Sequence, residues 1–365
     1  MTVIRAPHAP PFCPNPCCKF HRDTAHWRWV RDGFHDRRAT PHRSQRFRCR
    51  HCGRRFSTQT FATSYWLKRP ELLPRVFWGL LSCSGLRQLA RSLEASPQTI
   101  LLHANRLGRQ CLLFHDRLRP RAPITEPLVL DGLQSFEYSQ YYPTWYHLVV
   151  GQRSHFIYGL SDSELRRSGR MTPAQKRRRA QLERQFGRPD PRSIETQVAA
   201  VLQVVCPTPQ ALELHTDEHV DYPRAVRRVP HLAVRHHTTS SRAARTARNP
   251  LFAINLLDLL IRHSAANHKR ETIAFAKRRQ MAIARLWVVV VWRNYLKWFS
   301  ERRHQATAAM RCGLVPRPLR LREVLRERLF VSRARLPTPW QPYYWGQVVT
   351  RAMPRGRDHR LRYAY

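Results

Sequence analysis

Two short cysteine knuckles, CPNPCC at 13–18 and CRHC at 49–52, constrain the first sixty residues more than any other feature of the chain. A stretch rich in His, Arg and Trp separates them. Paired knuckles around such a loop predict a zinc ribbon over 10–60, in which four thiolates close a tetrahedral Zn²⁺ site and substitute for a core too small to fold alone. Cys49 and Cys52 form the clear half. In the first knuckle Cys13 can pair with Cys17 or Cys18, and His21 stands near; a CPNPxC spacing favours Cys13 and Cys18. The isolated Cys83, Cys111, Cys206 and Cys312 are expected to be buried thiols. The opening MTVIRAPHAPPF has no apolar h-region, and the apolar run LWVVVVW at 286–292 is too short to span a bilayer, so metal binding outranks disulfides.

Charge comes next. The chain of 365 residues carries 65 Lys and Arg against 24 Asp and Glu, a formal net charge of +41. Such an excess calls for a polyanionic partner, and nucleic acid is the commonest. Hydrophobic residues at 42% leave enough apolar surface for a packed core, which excludes a disordered polycation. No G-x-x-x-x-G-K-[ST] occurs, which argues against a nucleotide-driven enzyme.

Residues 70–120 read as helical. Leu86, Leu89, Ala90 and Leu93 share one face; Ser96 and Pro97 then form an N-cap and first-turn pair that opens a second helix, with Ile100 and Leu107 inward and Gly108 near its end. Two helices joined by a tight turn predict a helix-turn-helix presenting Gln98, Thr99, His103 and Arg106 to a major groove. An ordinary helical hairpin fits the periodicity equally well, and the ribbon and the net charge tip the reading to DNA.

Between 125 and 305 the pattern alternates. LVLDGLQSFEYS (128–139), YYPTWYHLVVGQ (141–152) and SHFIYGLSDSEL (154–165) predict an antiparallel meander with Asp131 in its first strand. A basic insert of low apolar content follows at 166–193. A helix at 194–205 leads to ALELHTDEH, a strand that ends in Asp217, and HLAVRHHTTSS predicts one more strand and a loop. From Asn249, with Pro250 in the first turn, the pattern is helical, and a longer helix is expected from about His268 to Ser300. The remainder, 312–365, reads as a basic tail packed on the core or following DNA.

The order strand, strand, strand, helix, strand, strand, helix is that of an RNase H-like mixed sheet flanked by helices, an α/β fold. With LVLDG around Asp131, LHTDEHVDYPRA around Asp217 and RNPLFAINLLDLLIRHSAANHKRETIAFAKRR, which contains Glu271, the chain resembles bacterial insertion-sequence transposases of the DDE type. The resemblance covers about residues 10–300. It implies a catalytic triad of Asp131, Asp217 and Glu271 holding Mg²⁺ or Mn²⁺ for DNA strand cleavage and strand transfer, double-stranded DNA at element ends and target as partner, a homo-oligomer on DNA, no membrane, and a place in the bacterial cytoplasm at the nucleoid. On the expected last helix, Lys277 and Arg278 would grip phosphates beside the metals, and Asn267 would share the face of Glu271. Asp217 has competitors in Glu218 and Asp221. Glu271 has one in Asp258, read as solvent-facing or a salt-bridge partner on an amphipathic helix. A non-catalytic or domesticated derivative acting as a DNA-binding regulator is the alternative reading.

Overall fold

The computed structural model describes residues 9–269 and 272–353. Glu271 lies outside these residues. Three antiparallel strands come first: β1 (Trp29–Asp36), β2 (Arg43–Cys49) and β3 (Arg55–Ser57), in the order β1-β2-β3. Their small core consists of Cys13, Cys18, Phe47, Cys49 and Phe56, with Trp27, Trp29 and Phe61 against it.

Three helices follow, α1 (Leu72–Leu81), α2 (Leu86–Ser92) and α3 (Pro97–Leu118). Ser96 caps α3 as its sequence predicts, accepting from Thr99 N at 3.1 Å, with Pro97 in the first turn. Gly108 does not end the helix, which runs a further ten residues. A Cβ at Gly108 would lie 2.7 Å from both the Cβ and the carbonyl oxygen of Ala284, so glycine there permits a close helix crossing.

The second sheet holds β4 (Leu128–Phe136), β5 (Pro143–Gly151), β6 (Ile157–Glu164), β7 (Gln210–Thr216) and β8 (Leu232–Thr238). Its order is β6-β5-β4-β7-β8. The first three strands pair antiparallel, whereas β7 runs parallel to β4 and β8 parallel to β7. The fold is therefore mixed α/β, with a mixed sheet flanked by helices. The basic insert, read only as a segment of low apolar content, contains α4 (Pro173–Phe186), started by a reciprocal Thr172–Gln175 capping box. Its few apolar residues hid a helix that capping and ion pairs support, Arg166 and Arg179 both reaching Glu183.

Helix α5 (Ser193–Val205) covers one face, where Ser161 Oγ donates to Gln197 O at 2.8 Å. Between β7 and β8 lies α6 (Asp221–Arg227). Helix α7 (Phe252–Ser264) packs on β4 and β5, and the Tyr146 ring meets His268 just beyond it. Because Tyr146 stands opposite Asp162, next to Ser161, strand alternation puts these two contacts on opposite faces.

The continuous helix expected from His268 to Ser300 is not found. A short 3-10 turn ends at His268, residues 272–278 are turns and bends, and α8 spans only Arg279–Val291 before a π-helical turn at Trp292–Leu296. A tertiary network fixes that late start. The Arg279 backbone N–H donates to Glu137 Oε2 at 3.1 Å and to Thr350 Oγ1 at 3.0 Å, and its guanidinium meets Asp162 at 3.1 Å and Glu164 at 2.7 Å. Helix α8 is buried almost all round and packs along α3. One continuous hydrophobic core therefore joins helices and sheet from Leu67 to Tyr344.

The C-terminal basic segment packs on that core. Trp340 is fully buried and donates to Leu160 O at 2.9 Å, Tyr343 OH donates to Asp162 at 2.6 Å, and Phe330 meets Phe12 and Phe61 of the first module. No helix among the described residues is long and apolar enough to cross a membrane.

Candidate metal centre and carboxylate site

The sulfur atoms of Cys13, Cys18, Cys49 and Cys52 lie within 4.8 Å of one another, a set that could hold a metal ion. Local backbone geometry builds it. Cys18 N donates to Asn15 O at 3.0 Å in the first knuckle; in the second, Gly53 N donates to Cys49 O at 3.0 Å, with Gly53 at φ +69°, where a side chain would be strained. Cys17 is exposed and outside the cluster. His21 is buried and already engaged, Nδ1 with Cys13 O at 2.7 Å and Nε2 with Ser332 Oγ at 2.9 Å, so it orders the knuckle rather than joining the donors. Burial pushes the Cys13 and Cys18 thiols up. Cys49 also feels burial, but the backbone N–H groups of Cys52 and His51 and the Trp27 indole N–H, 3.3 Å from its sulfur, outweigh it and bring the thiol down to about 7. Four convergent thiols suit a tetrahedral Zn²⁺ site.

The second site lies at the C-terminal end of β7. Its register with β4, Leu128 opposite Leu214 and Val129 opposite His215, continues to set Asp131 level with Asp217. Asp131 Oδ1 accepts from Gly132 N at 2.7 Å and lies 3.5 Å from the Tyr222 hydroxyl. Asp217 Oδ1 accepts from His219 N at 2.9 Å. Burial, then repulsion from Asp217, pushes the Asp131 carboxyl up to about 6, while Arg245 opposes the shift. Neither competitor of Asp217 shares this environment. Glu218 is exposed, and Asp221 is engaged by Arg224 at 3.0 Å.

Sequence reasoning passed over Tyr222, whose hydroxyl is held far above its usual range by burial and then by Asp131, Asp217 and Asp258. That places Asp258 within electrostatic reach of Tyr222. It is partly buried on α7, with Oδ1 shielded from solvent, so of the two expectations for it the solvent-facing one is not met. The arginines of the loop before α7, Arg242, Arg245 and Arg248, are exposed beside this end of the sheet. Their spacing in SRAARTAR was the available signal.

Other expected site residues separate. Gln98 is exposed at the start of α3 and Thr99 is partly exposed there. His103, however, is buried, with its ring nitrogens 2.8 Å from Thr99 O and Arg69 O. Arg106 donates to Tyr65 O at 3.0 Å, and burial lowers its pKa to about 9. Both are committed to fixing the segment ahead of α1, which removes them from an exposed reading face. Lys277 is exposed and sits 4.0 Å over the Phe275 ring, and Arg278 caps α8; since 272–278 is not helical, the two-turn spacing from Glu271 gives them no shared face. Asn267 is buried and accepts from Arg285 at 2.9 Å.

No protein-family model matches the chain, and no curated protein sequence does. A chain from the cryo-EM structure of the simian T-cell lymphotropic virus intasome in complex with PP2A regulatory subunit B56 gamma aligns with 67% of this chain and 74% of its own length, at 16% identity and a TM-score of 0.27. That score is too low to assign a shared fold.

Proposed function

We propose that the chain is a DNA transposase of the DDE type, a polynucleotidyl transferase that binds element ends as a homo-oligomer and catalyses metal-dependent strand cleavage and strand transfer. The observation that carries this reading is the placement of Asp131, within β4, level with Asp217, just past the end of β7, where burial first and then repulsion from Asp217 raise the Asp131 carboxyl. A structural role does not account for that arrangement, because two facing carboxylates in a partly buried site repel. Oxygen donors of this kind fit Mg²⁺ or Mn²⁺. The strand order, three antiparallel strands with two parallel ones added beyond β4, supports an RNase H-like reading of the sheet.

Bound there, a divalent ion would polarise the scissile phosphate and activate the attacking hydroxyl. The protein's own groups do the rest. Gly132 N and Tyr222 orient Asp131, His219 N orients Asp217, and Arg245 offers positive charge to an approaching phosphate. For the third carboxylate, Glu271 and Asp258 compete. Glu271 is the one that the family resemblance implies, and Asp258 stands on the helix that packs on β4 and β5. The cysteine cluster reads as a zinc ribbon, and the exposed Gln98 and Lys277 remain candidate DNA contacts.

The test is cleavage of a labelled element end with Mg²⁺ or Mn²⁺, beside a binding assay on the same proteins. Asp131→Asn and Asp217→Asn should each lose cleavage by at least about a thousandfold while retaining DNA binding. Glu271→Gln should do the same and Asp258→Asn should not; the reverse would move the third position to Asp258. Cleavage by Asp131→Asn at the wild-type rate would leave a DNA-binding regulator.

A further inference from the structure

The basic insert between β6 and α5 is ordered, and its charge is unbalanced. Residues 166–188 contain nine Lys or Arg and a single acid, Glu183. That acid serves the attachment of α4, meeting Arg166 at 2.8 Å and Arg179 at 3.6 Å. Arg179 also donates to Arg167 O at 2.9 Å, and Arg167 donates to Gln140 O at 3.0 Å in the β4–β5 turn. Leu182 is buried beneath the helix, and Arg351 donates to Gly187 O at 2.9 Å just past its end. Helix α4 is thus held at both ends over the β4–β5 turn.

With 3.6 residues per turn, Arg179, Leu182 and Phe186 share the inner face, which leaves Arg177 and Arg184 together on the outer one, with Lys176 beside them. All three are exposed, and none forms an ion pair among the described residues. Two turns separate Arg177 from Arg184 by about 10.5 Å, close to the rise of three nucleotides along one strand of B-DNA, about 10 Å.

An exposed basic face is ordinarily a solvated one, and its place in the sheet is what sets this one apart. Strands β4 and β6 both run antiparallel to β5, and β7 and β8 run parallel to β4, so all four end on the same side. Helix α4 follows β6 there. The exposed Arg242, Arg245 and Arg248 follow β8 at the opposite edge of that side. Four strand spacings put these edges about 19 Å apart, with Asp131 and Asp217 on the two strands between them. Along β4, Asp131 stands five residues before Phe136, about 17 Å, which is the rise of about five base pairs.

We infer that the Arg177–Arg184 face of α4 holds the phosphate backbone of duplex DNA about five or more base pairs from the phosphate at Asp131 and Asp217. The inference rests on the reading of that pair as the cleavage site. Phosphate contacts position a duplex without reading its sequence, so this face sets how DNA lies across the acids and not which sequence is chosen.

The test uses the full chain and a random-sequence duplex long enough to span both edges of the sheet. Arg177→Gln with Arg184→Gln is compared with a charge-matched control, Arg302→Gln with Arg303→Gln. The control arginines are exposed in the turn after Phe299, whose ring meets His155 of the β5–β6 turn at 4.7 Å, at the other end of the sheet. The α4 variant should lower the slope of log affinity against log salt by about 1.8, two phosphate contacts at about 0.9 each, and the control by less than half as much. Arg177→Lys with Arg184→Lys should restore the slope. The loss should be the same on element-end and random duplexes, since no base is read. An unchanged slope in the α4 variant, or an equal fall in both variants, would overturn the inference. So would loss of binding to phosphatidylserine vesicles with duplex binding intact, which would make the helix a lipid contact. Cleavage of element ends is measured separately with Asp131→Asn. Cleavage that survives that change would retire the acid pair and with it the placement of α4 relative to a scissile phosphate, whereas cleavage lost with it, beside an unchanged α4 slope, would retire only the α4 contact.

Discussion

The cysteine cluster and the carboxylate pair both gather ligand atoms, but the chain reaches the two by different routes. Each half of the cysteine cluster is made within a few residues, by turns such as Cys49 O to Gly53 N, and the halves are joined by one short sheet around a core of a few side chains. Asp131 and Asp217 meet only through the register of β4 on β7, inside a core that runs from Leu67 to Tyr344. A metal held by the four thiols would therefore be part of the structure of the first site. The second is a charge conflict imposed on a scaffold that stands without it.

The largest effect expected from that contrast is at the ribbon. Replacing Cys49 and Cys52 together by Ser removes half the donor set, and structural zinc is worth on the order of 10 kcal/mol to modules of this size. The wild type should carry about one tightly bound Zn²⁺ per chain, and the double variant should lose both the metal and the fold of residues 10–60. Metal analysis with protease digestion reads both. Equal zinc in the two proteins would sink the ribbon and with it the comparison.

The carboxylate site should respond in the opposite sense. Asp131 has a folded pKa raised from 3.8 to about 6, so its contribution to stability is complete below the unfolded value and is lost as pH rises through 6. Asp131→Asn should thus match the wild type near pH 4 and exceed it near pH 7 by up to about 3 kcal/mol, at about 1.4 kcal/mol per pKa unit. Millimolar Mg²⁺ should shrink the difference by compensating the wild-type charge. Urea unfolding at the two pH values decides it; a variant less stable than wild type at pH 7 would mean that the pair is a structural hydrogen-bonding unit.

The same division explains what could be read from the sequence. Short-range signals were legible: both knuckles, the Ser96–Pro97 start of α3, and the strands around Asp131 and Asp217 within a few residues. Distant packing was not. The run after His268 has helical periodicity, yet the clamp of Glu137, Asp162 and Glu164 on Arg279 delays the helix to Arg279, and that clamp joins elements more than a hundred residues apart. The helix-turn-helix reading turns His103 and Arg106 outward, towards a groove. The segment ahead of α1 folds over them and takes their donors for Arg69 O and Tyr65 O. Asp258 reads as a surface acid because an amphipathic pattern cannot report that this position is partly covered in the folded chain.

Helix α3 contains both kinds of determinant, so two substitutions within it bring the contrast to its smallest scale. Gly108→Ala should improve intrinsic helix propensity by about 1 kcal/mol, but the new methyl would press on the Ala284 carbonyl, which belongs to a buried helix and cannot move aside. Overpacking of up to about 3 kcal/mol should win, leaving a net loss of about 2 kcal/mol. Ser96→Ala removes the cap bond to Thr99 N and the 2.9 Å hydrogen bond with Thr99 Oγ1, a local loss of about 1 kcal/mol. Urea midpoints of the two variants rank them. If Ser96→Ala proved the costlier, α3 would be held by its own first turn rather than by α8, and the distinction between locally built and register-built parts of this molecule would fail in the helix that joins them.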